Sequence, residues 1–215
     1  MLHKLLPLLA VLLSVFAHDA YAINSQAGKA AWKKHQQLVV NVSHKTGADP
    51  VTLAATCGME SGFKAKAKNK RSSATGGCQF TAKTWPVMLK KHGRKYGLSM
   101  RTPRTNMRAS LLMAAEYTKD NAKVLRNVLG RKPTRAEVYM AHLLGPTGAS
   151  KMLTARNGKK AARVLLDAAS RNRKLFYTDS GRARSVSQFK QYVAWRFNTH
   201  AGSYKPDIVR LVAAR

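Results

Sequence analysis

The chain has 215 residues, 45% of them hydrophobic, which is enough for one domain with a real core and too apolar for global disorder. Its 39 Lys+Arg against 9 Asp+Glu give a formal charge of +30 and a pI near 10.9. Such a chain is drawn to polyanions, whether nucleic acid, anionic lipid or an acidic wall polymer, and charge alone does not choose among them.

At the N-terminus Lys4 supplies a positive start, Leu5 to Ala17 is apolar apart from Pro7 and Ser14, and Ala20-Tyr21-Ala22 places small residues where a signal peptidase reads. Residues 1–22 are therefore expected to be a secretory signal peptide, cleaved after Ala22 to leave a mature chain from Ile23. The apolar run is short of the roughly 20 residues that span a bilayer, so no transmembrane anchor is expected after cleavage. A periplasmic or secreted location follows. It makes an envelope target a better account of the charge than a specific nucleic acid. Two cysteines, Cys57 and Cys78, suit that compartment. Paired, they close a loop worth roughly 3 kcal/mol; unpaired, they are two buried thiols packing as small hydrophobes.

Helical signals dominate the rest of the chain. Residues 30–45 carry an apolar stripe at Trp32, Leu38, Val39 and Val42. Gly47-Ala48-Asp49-Pro50 stops that helix and starts another, with Asp49 as N-cap and Pro50 in the first turn. Residues 51–59 continue as a short apolar helix ending at Glu60-Ser61-Gly62. Leu53, Cys57 and Glu60 share one face of it. Residues 64–71 form a basic loop, 72–79 are small and glycine-containing, and 80–92 read as helix around Trp85. The longest helical candidate is 106–129, broken by Gly130 to Pro133. Thr134-Arg-Ala-Glu137 is a capping box opening a helix to Leu144, before Gly145-Pro146. Further helices are expected over 148–153, 161–169 and 187–197, with one short helix after Pro206 in the tail.

Carboxylates are few enough to weigh singly. Asp19 lies in the signal segment, Asp49 and Glu137 serve caps, and Asp207 is placed to cap a last helix. Glu116, Asp120, Asp167 and Asp179 sit among lysines and arginines as surface partners. Glu60 alone has no capping role, and its nearest following basic residue is Lys64. Desolvation at the end of a buried face would favour its protonated form, as a general acid requires. The opposing reading is an exposed carboxylate at a fraying helix end. The seven histidines form no close pair and no Cys/His cluster, so no metal site and no cofactor are expected. No nucleophile elbow or phosphate-binding glycine loop is present. Basic residues are spread along the whole chain with only 16 aromatics, a weak pattern for a nucleic-acid module.

Gly47-Ala48-Asp49-Pro50, the apolar helix and Glu60-Ser61-Gly62-Phe63 resemble the opening of the soluble-type lytic transglycosylase family. Ser72 to Phe80, followed by Thr84-Trp85, resembles that family's second motif in matching order and spacing. Tyr139-Met-Ala-His142-Leu-Leu-Gly145 stands where the family has Ala-Tyr-Asn, and Gln188 to Val193, with Tyr192, resembles its closing Tyr-Val element. The resemblance spans about residues 34–197. It implies a mainly α, lysozyme-like single domain with a catalytic cleft over 34–200, an N-terminal extension at 23–33 and a tail at 201–215.

By the family mechanism Glu60 is general acid, then base. It cleaves the bond between N-acetylmuramic acid and N-acetylglucosamine in peptidoglycan and leaves a 1,6-anhydro product. Ser61, Ser72, Ser73 and Gln79 are the implied substrate-binding or orienting residues, with Tyr139, His142 and Tyr192 lining the cleft. The chain departs from the family at Gly77, Cys78 and His142. A Cys57–Cys78 disulfide would account for the first two, and His142 replaces the tyrosine that contacts the catalytic carboxylate. Partners implied are peptidoglycan strands and a phage lysis, secretion or conjugation apparatus. Three alternatives stay open: a hydrolytic muramidase of the same fold, a cationic envelope-binding protein without catalysis, and a polyanion-binding structural component of a phage or secretion apparatus.

Overall fold

The computed structural model describes residues 26–70 and 72–214, so the signal segment expected over 1–22, with cleavage after Ala22, lies outside the described residues. What it describes is mainly helical. Helix α1 spans Gln26–Thr46, α2 Pro50–Ser61 and α3 Thr84–His92, followed by a 3-10 turn at Gly93–Tyr96. Helix α4 spans Met107–Leu129 and α5 Arg135–Thr154. Three short helices follow, α6 Ala161–Val164, α7 Leu166–Arg171 and α8 Arg173–Phe176, before α9 at Val186–Ala213. Extended pairing among the described residues is confined to isolated bridges such as Lys68 with Thr75 and Thr75 with Phe80.

Helix starts are set locally. The Asp49 carboxylate accepts from the Thr52 amide at 2.8 Å, Asn106 caps α4 through the Ala109 amide, and Thr134 with Glu137 makes the reciprocal capping box. Arg131 adds a fork onto Glu137 at 2.9 and 2.7 Å. Gly62, at φ 58, closes α2 in the left-handed conformation with its amide bonded to the Gly58 carbonyl.

Helix α2 is the axle of the molecule. Every residue from Val51 to Glu60 is buried, because α1, α4, α5 and α9 pack around it. A helix enclosed on all sides must be apolar around its circumference, which explains the unbroken Val-Thr-Leu-Ala-Ala-Thr-Cys-Gly-Met run before Glu60. Leu53 of α2 and Leu111 and Leu112 of α4 are wholly buried, and truncating any of them to alanine costs about 2–5 kcal/mol. No helix among the described residues is long and apolar enough to cross a membrane.

Several expectations differ from the structure; the helix expected over 80–92 starts only at Thr84, and Asp207, expected as a cap, lies inside α9. The helix expected over 161–169 is broken, since Leu165 (φ −140, ψ 74) leaves helical geometry and Asn172 breaks the chain again; the Asn172 side chain donates to the Ala168 carbonyl at 3.1 Å. The tail is not a short helix after Pro206 but the end of one helix running from Val186 through that proline. Tyr204 and Ile208 are buried there, and Asp207 accepts from the Trp32 indole of α1 at 2.8 Å, so tertiary contacts hold a helix that local propensity would stop. Glu116, expected at the surface, is buried at 4% exposure among Lys95, Tyr96 and Lys119, as described below. The turn at Gly145-Pro146 does occur, with Gly145 (φ 70, ψ 159) interrupting α5 before it resumes.

Candidate active site around Glu60

Glu60 sits in the last turn of α2, 4% exposed, not fraying into solvent. Its Oε1 lies 3.4 Å from Nε2 of His142, which projects from α5 and is itself 3% exposed. His142 is held by aromatic neighbours on two helices. Tyr117 of α4 meets it edge-on at 5.7 Å, and Tyr139 of α5 lies nearly parallel to it at 6.5 Å. Tyr139 in turn packs on Phe197 of α9 at 5.4 Å. Burial pushes the Tyr117 hydroxyl up to about 12, so the ring stays a neutral wall at any physiological pH.

A loop, residues 64–70 and 72–83, is fastened to the helix that carries Glu60. Cys57 and Cys78 form a disulfide, so the thiol alternative falls. Ser61 donates its hydroxyl to the Gly77 carbonyl at 2.6 Å and accepts from the Lys64 amide at 3.1 Å. The Cys78 amide donates to Ser110 of α4 at 3.1 Å. Within the loop, Gln79 adopts a left-handed backbone (φ 51), and its side-chain NH2 donates to the carbonyls of Gly76 at 2.8 Å and Ala67 at 3.2 Å. Gly76, at φ 90, is required on steric grounds too. A Cβ there would stand 2.1 Å from the Arg104 carbonyl oxygen. At Gly77 a Cβ would run into the Met107 thioether, so that glycine makes room for a packed methionine as well as for the disulfide turn.

The residues picked from sequence thus separate into groups. Glu60, His142 and Tyr139 come together, and Cys57, Cys78 and Ser61 lock the loop beneath them. The Ser72 hydroxyl accepts from the Ala74 amide at 3.3 Å and that of Ser73 from the Ala82 amide at 3.1 Å, so both shape their own loop. Arg104 binds the Ser73 and Phe80 carbonyls from outside. Tyr192 meets the Trp195 ring at 5.9 Å, with the guanidinium groups of Arg184 at 4.0 Å and Arg196 at 5.9 Å.

Sequence reasoning missed Tyr117. Its signal was an aromatic hydroxyl inside the buried stripe of α4, beside Asn121, and a stripe of that kind reads first as core. It also missed the second buried carboxylate. Glu116 accepts from the Tyr96 hydroxyl and from Lys95 at 3.0 Å, with Lys119 at 3.4 Å and His92 at 3.8 Å. That cluster faces the 3-10 turn, whereas Tyr117, the next residue, faces His142. Among the described residues no group of three or more His, Cys, Asp or Glu side chains could hold a metal ion. Among known protein families, no family model matches the chain.

Proposed function

We propose that this protein is a lytic transglycosylase of peptidoglycan, with Glu60 as its acid and then its base. The observation that carries the reading is the placement of Glu60. A carboxyl at the buried end of an axial helix faces an imidazole at 3.4 Å, beside a loop covalently tied to the same helix. The match of motif order and spacing noted in the sequence supports it. The proton on Glu60 passes to the glycosidic oxygen as the C1–O bond breaks, and the substrate's acetamido carbonyl stabilises the cation left at C1. The Glu60 carboxylate then takes the proton of the muramyl C6 hydroxyl while O6 bonds to C1. No second protein carboxylate is needed, unlike the common two-carboxylate glycosidase, and the intramolecular attack gains from proximity.

In this scheme His142 fills the place of the family tyrosine and positions the Glu60 carboxyl, while Tyr139 and Tyr117 fix the imidazole. The NH2 of Gln79 is committed to the loop, so the sugar contact expected of Gln79 falls to its amide oxygen. The Ser61, Ser72 and Ser73 hydroxyls act by building the loop rather than by binding sugar. Because Glu60 is buried in the free chain, substrate entry coincides with opening of the site. The excess of positive charge draws the protein to the anionic wall.

The test is mass spectrometry of fragments released from purified peptidoglycan by the mature protein and by Glu60→Gln. Muropeptides one water lighter than hydrolytic products, falling by about 10²–10⁴-fold in the variant, are the expected result. Full-mass reducing products lost in the variant would make the enzyme a muramidase. No release by folded wild-type protein would leave a cationic binder.

A further inference from the structure

Helix α9 has two faces with different tasks. Inward, Val193 and Phe197 are buried, and Phe197 supports Tyr139 behind His142. Outward, Trp195 is 63% exposed, whereas the chain's other tryptophans, Trp32 and Trp85, are at 7% and 6%. A single exposed indole would need no explanation, but Trp195 does not stand alone. It stacks on Tyr192 at 5.9 Å and an interplanar angle of 29°, and the Arg184 guanidinium caps the other ring at 4.0 Å. Arg184 is carried by the loop before α9, where its amide donates to the Phe176 carbonyl and its carbonyl accepts from the Ala161 amide, so its backbone is fixed on both sides. No carboxylate among the described residues reaches it. Neither Trp195 nor Arg184 contributes to the Glu60 cluster.

We infer that Trp195, Tyr192 and Arg184 form a second binding platform, on the outer face of α9, for a carboxylate-bearing glycan strand. The inference rests on the transglycosylase reading for its choice of polymer. The chemistry fits in two parts. The indole offers a flat apolar face to the C–H face of a pyranose ring, as aromatic rings do wherever one side must be apolar and the edge wet. The guanidinium, already stacked on Tyr192, still has N–H groups for a carboxylate on the sugar or its peptide stem. On a molecule of charge +30, such a site adds stacking to an attraction that is otherwise only electrostatic. It would hold the enzyme on a strand while the Glu60 site opens and closes.

The experiment uses the Glu60→Gln protein, so that binding is read without cleavage, and co-sedimentation with insoluble peptidoglycan at fixed ionic strength. Adding Trp195→Ala or Arg184→Gln should weaken binding at least about tenfold, and Trp195→Tyr should restore most of it. Circular dichroism should remain unchanged because Trp195 is exposed. A single-stranded oligonucleotide and vesicles containing phosphatidylglycerol, bound at the same ionic strength, should lose no more than the affinity of one charge. Binding of peptidoglycan unaffected by Trp195→Ala overturns the platform, as does a Trp195 dependence seen only with oligonucleotide or only with vesicles. Cleavage by the protein with native Glu60 is scored separately. Cleavage with Trp195-independent binding removes the platform and keeps the enzyme; Trp195-dependent binding without cleavage removes the enzyme and keeps the platform.

Discussion

Gln79 occupies a left-handed backbone conformation that costs a non-glycine residue of order 1–3 kcal/mol, and two side-chain hydrogen bonds to backbone carbonyls hold it there. Gln79→Ala keeps the unfavourable φ and loses both bonds, so it should lower stability by about 1–3 kcal/mol. Gln79→Gly loses the same bonds but relaxes the backbone and should cost less. Urea unfolding of the two variants checks the order; an alanine variant as stable as wild type would mean the bonds hold nothing. His142 poses the complementary question, since its ring both packs and faces Glu60. His142→Phe keeps contact with Tyr117 and Tyr139 while removing the nitrogen 3.4 Å from Oε1. Glycan cleavage should drop by one to two orders of magnitude on the order expected for a lost positioning contact, with little change in melting temperature. Unchanged cleavage would reduce His142 to packing.

Helices and loops carry the next set of consequences. The Cys57–Cys78 bond joins the buried axis α2 to the loop with Gly76 and Gln79, across a sequence separation of 21. Reducing it, or replacing both cysteines by alanine, should cost roughly 3 kcal/mol by loop entropy. The loss should appear in protease sensitivity of residues 64–83 before global unfolding, since α2 keeps its packing. Pro206 lies inside α9, where it lacks an N–H for the helix ladder. Pro206→Ala restores that donor and should raise stability by about 1–3 kcal/mol, unless the proline ring is what sets the turn from which Asp207 reaches the Trp32 indole. A lower melting temperature would establish that second case.

These elements also show where the sequence was readable. Asp49-Pro50, Asn106 and Thr134 announce helix starts because caps are made within a turn of the chain. Glu60 stood out because eight other carboxyl groups had local explanations, and the Cys pair and His142 lay at motif positions. The continuous α9 was hidden because the contacts that carry it past Pro206, Trp32 above all, come from the opposite end of the chain. Glu116 was misread for the same reason: Lys119 is its neighbour on α4, but Lys95 and Tyr96 reach it only after α4 packs on the 3-10 turn.

For the molecule as a whole, charge and pH set the working range. With +30 spread over the surface, retention on an anionic wall should fall steadily as salt rises from about 50 to 200 mM, because exposed charges are screened beyond roughly 10 Å. Acid acts on stability through particular buried groups. Burial, with Arg196 nearby, lowers His200 from 6.5 to about 4, so it is neutral in the folded protein while an unfolded chain protonates it. Its contribution is complete above pH 6.5 and drains away as pH falls toward 4, a loss of at most about 3 kcal/mol. Glu116 follows at lower pH. Its burial works to raise the carboxyl, but the Tyr96 hydroxyl, Lys95 and Lys119 together hold it below 4.5. Glu137 is lowered chiefly by the Arg131 fork. Both carboxylates stabilise the fold above 4.5 and lose that contribution as pH falls through their folded values. Urea unfolding from pH 7 to 3 should therefore show two stages of loss. His200→Gln should flatten the upper one, leaving only the smaller share of His35, which burial and Lys34 also lower, while the stage below 4.5 remains. If the variant keeps the full slope between pH 6.5 and 4.5, buried His200 is not the group that ties this fold to neutral pH.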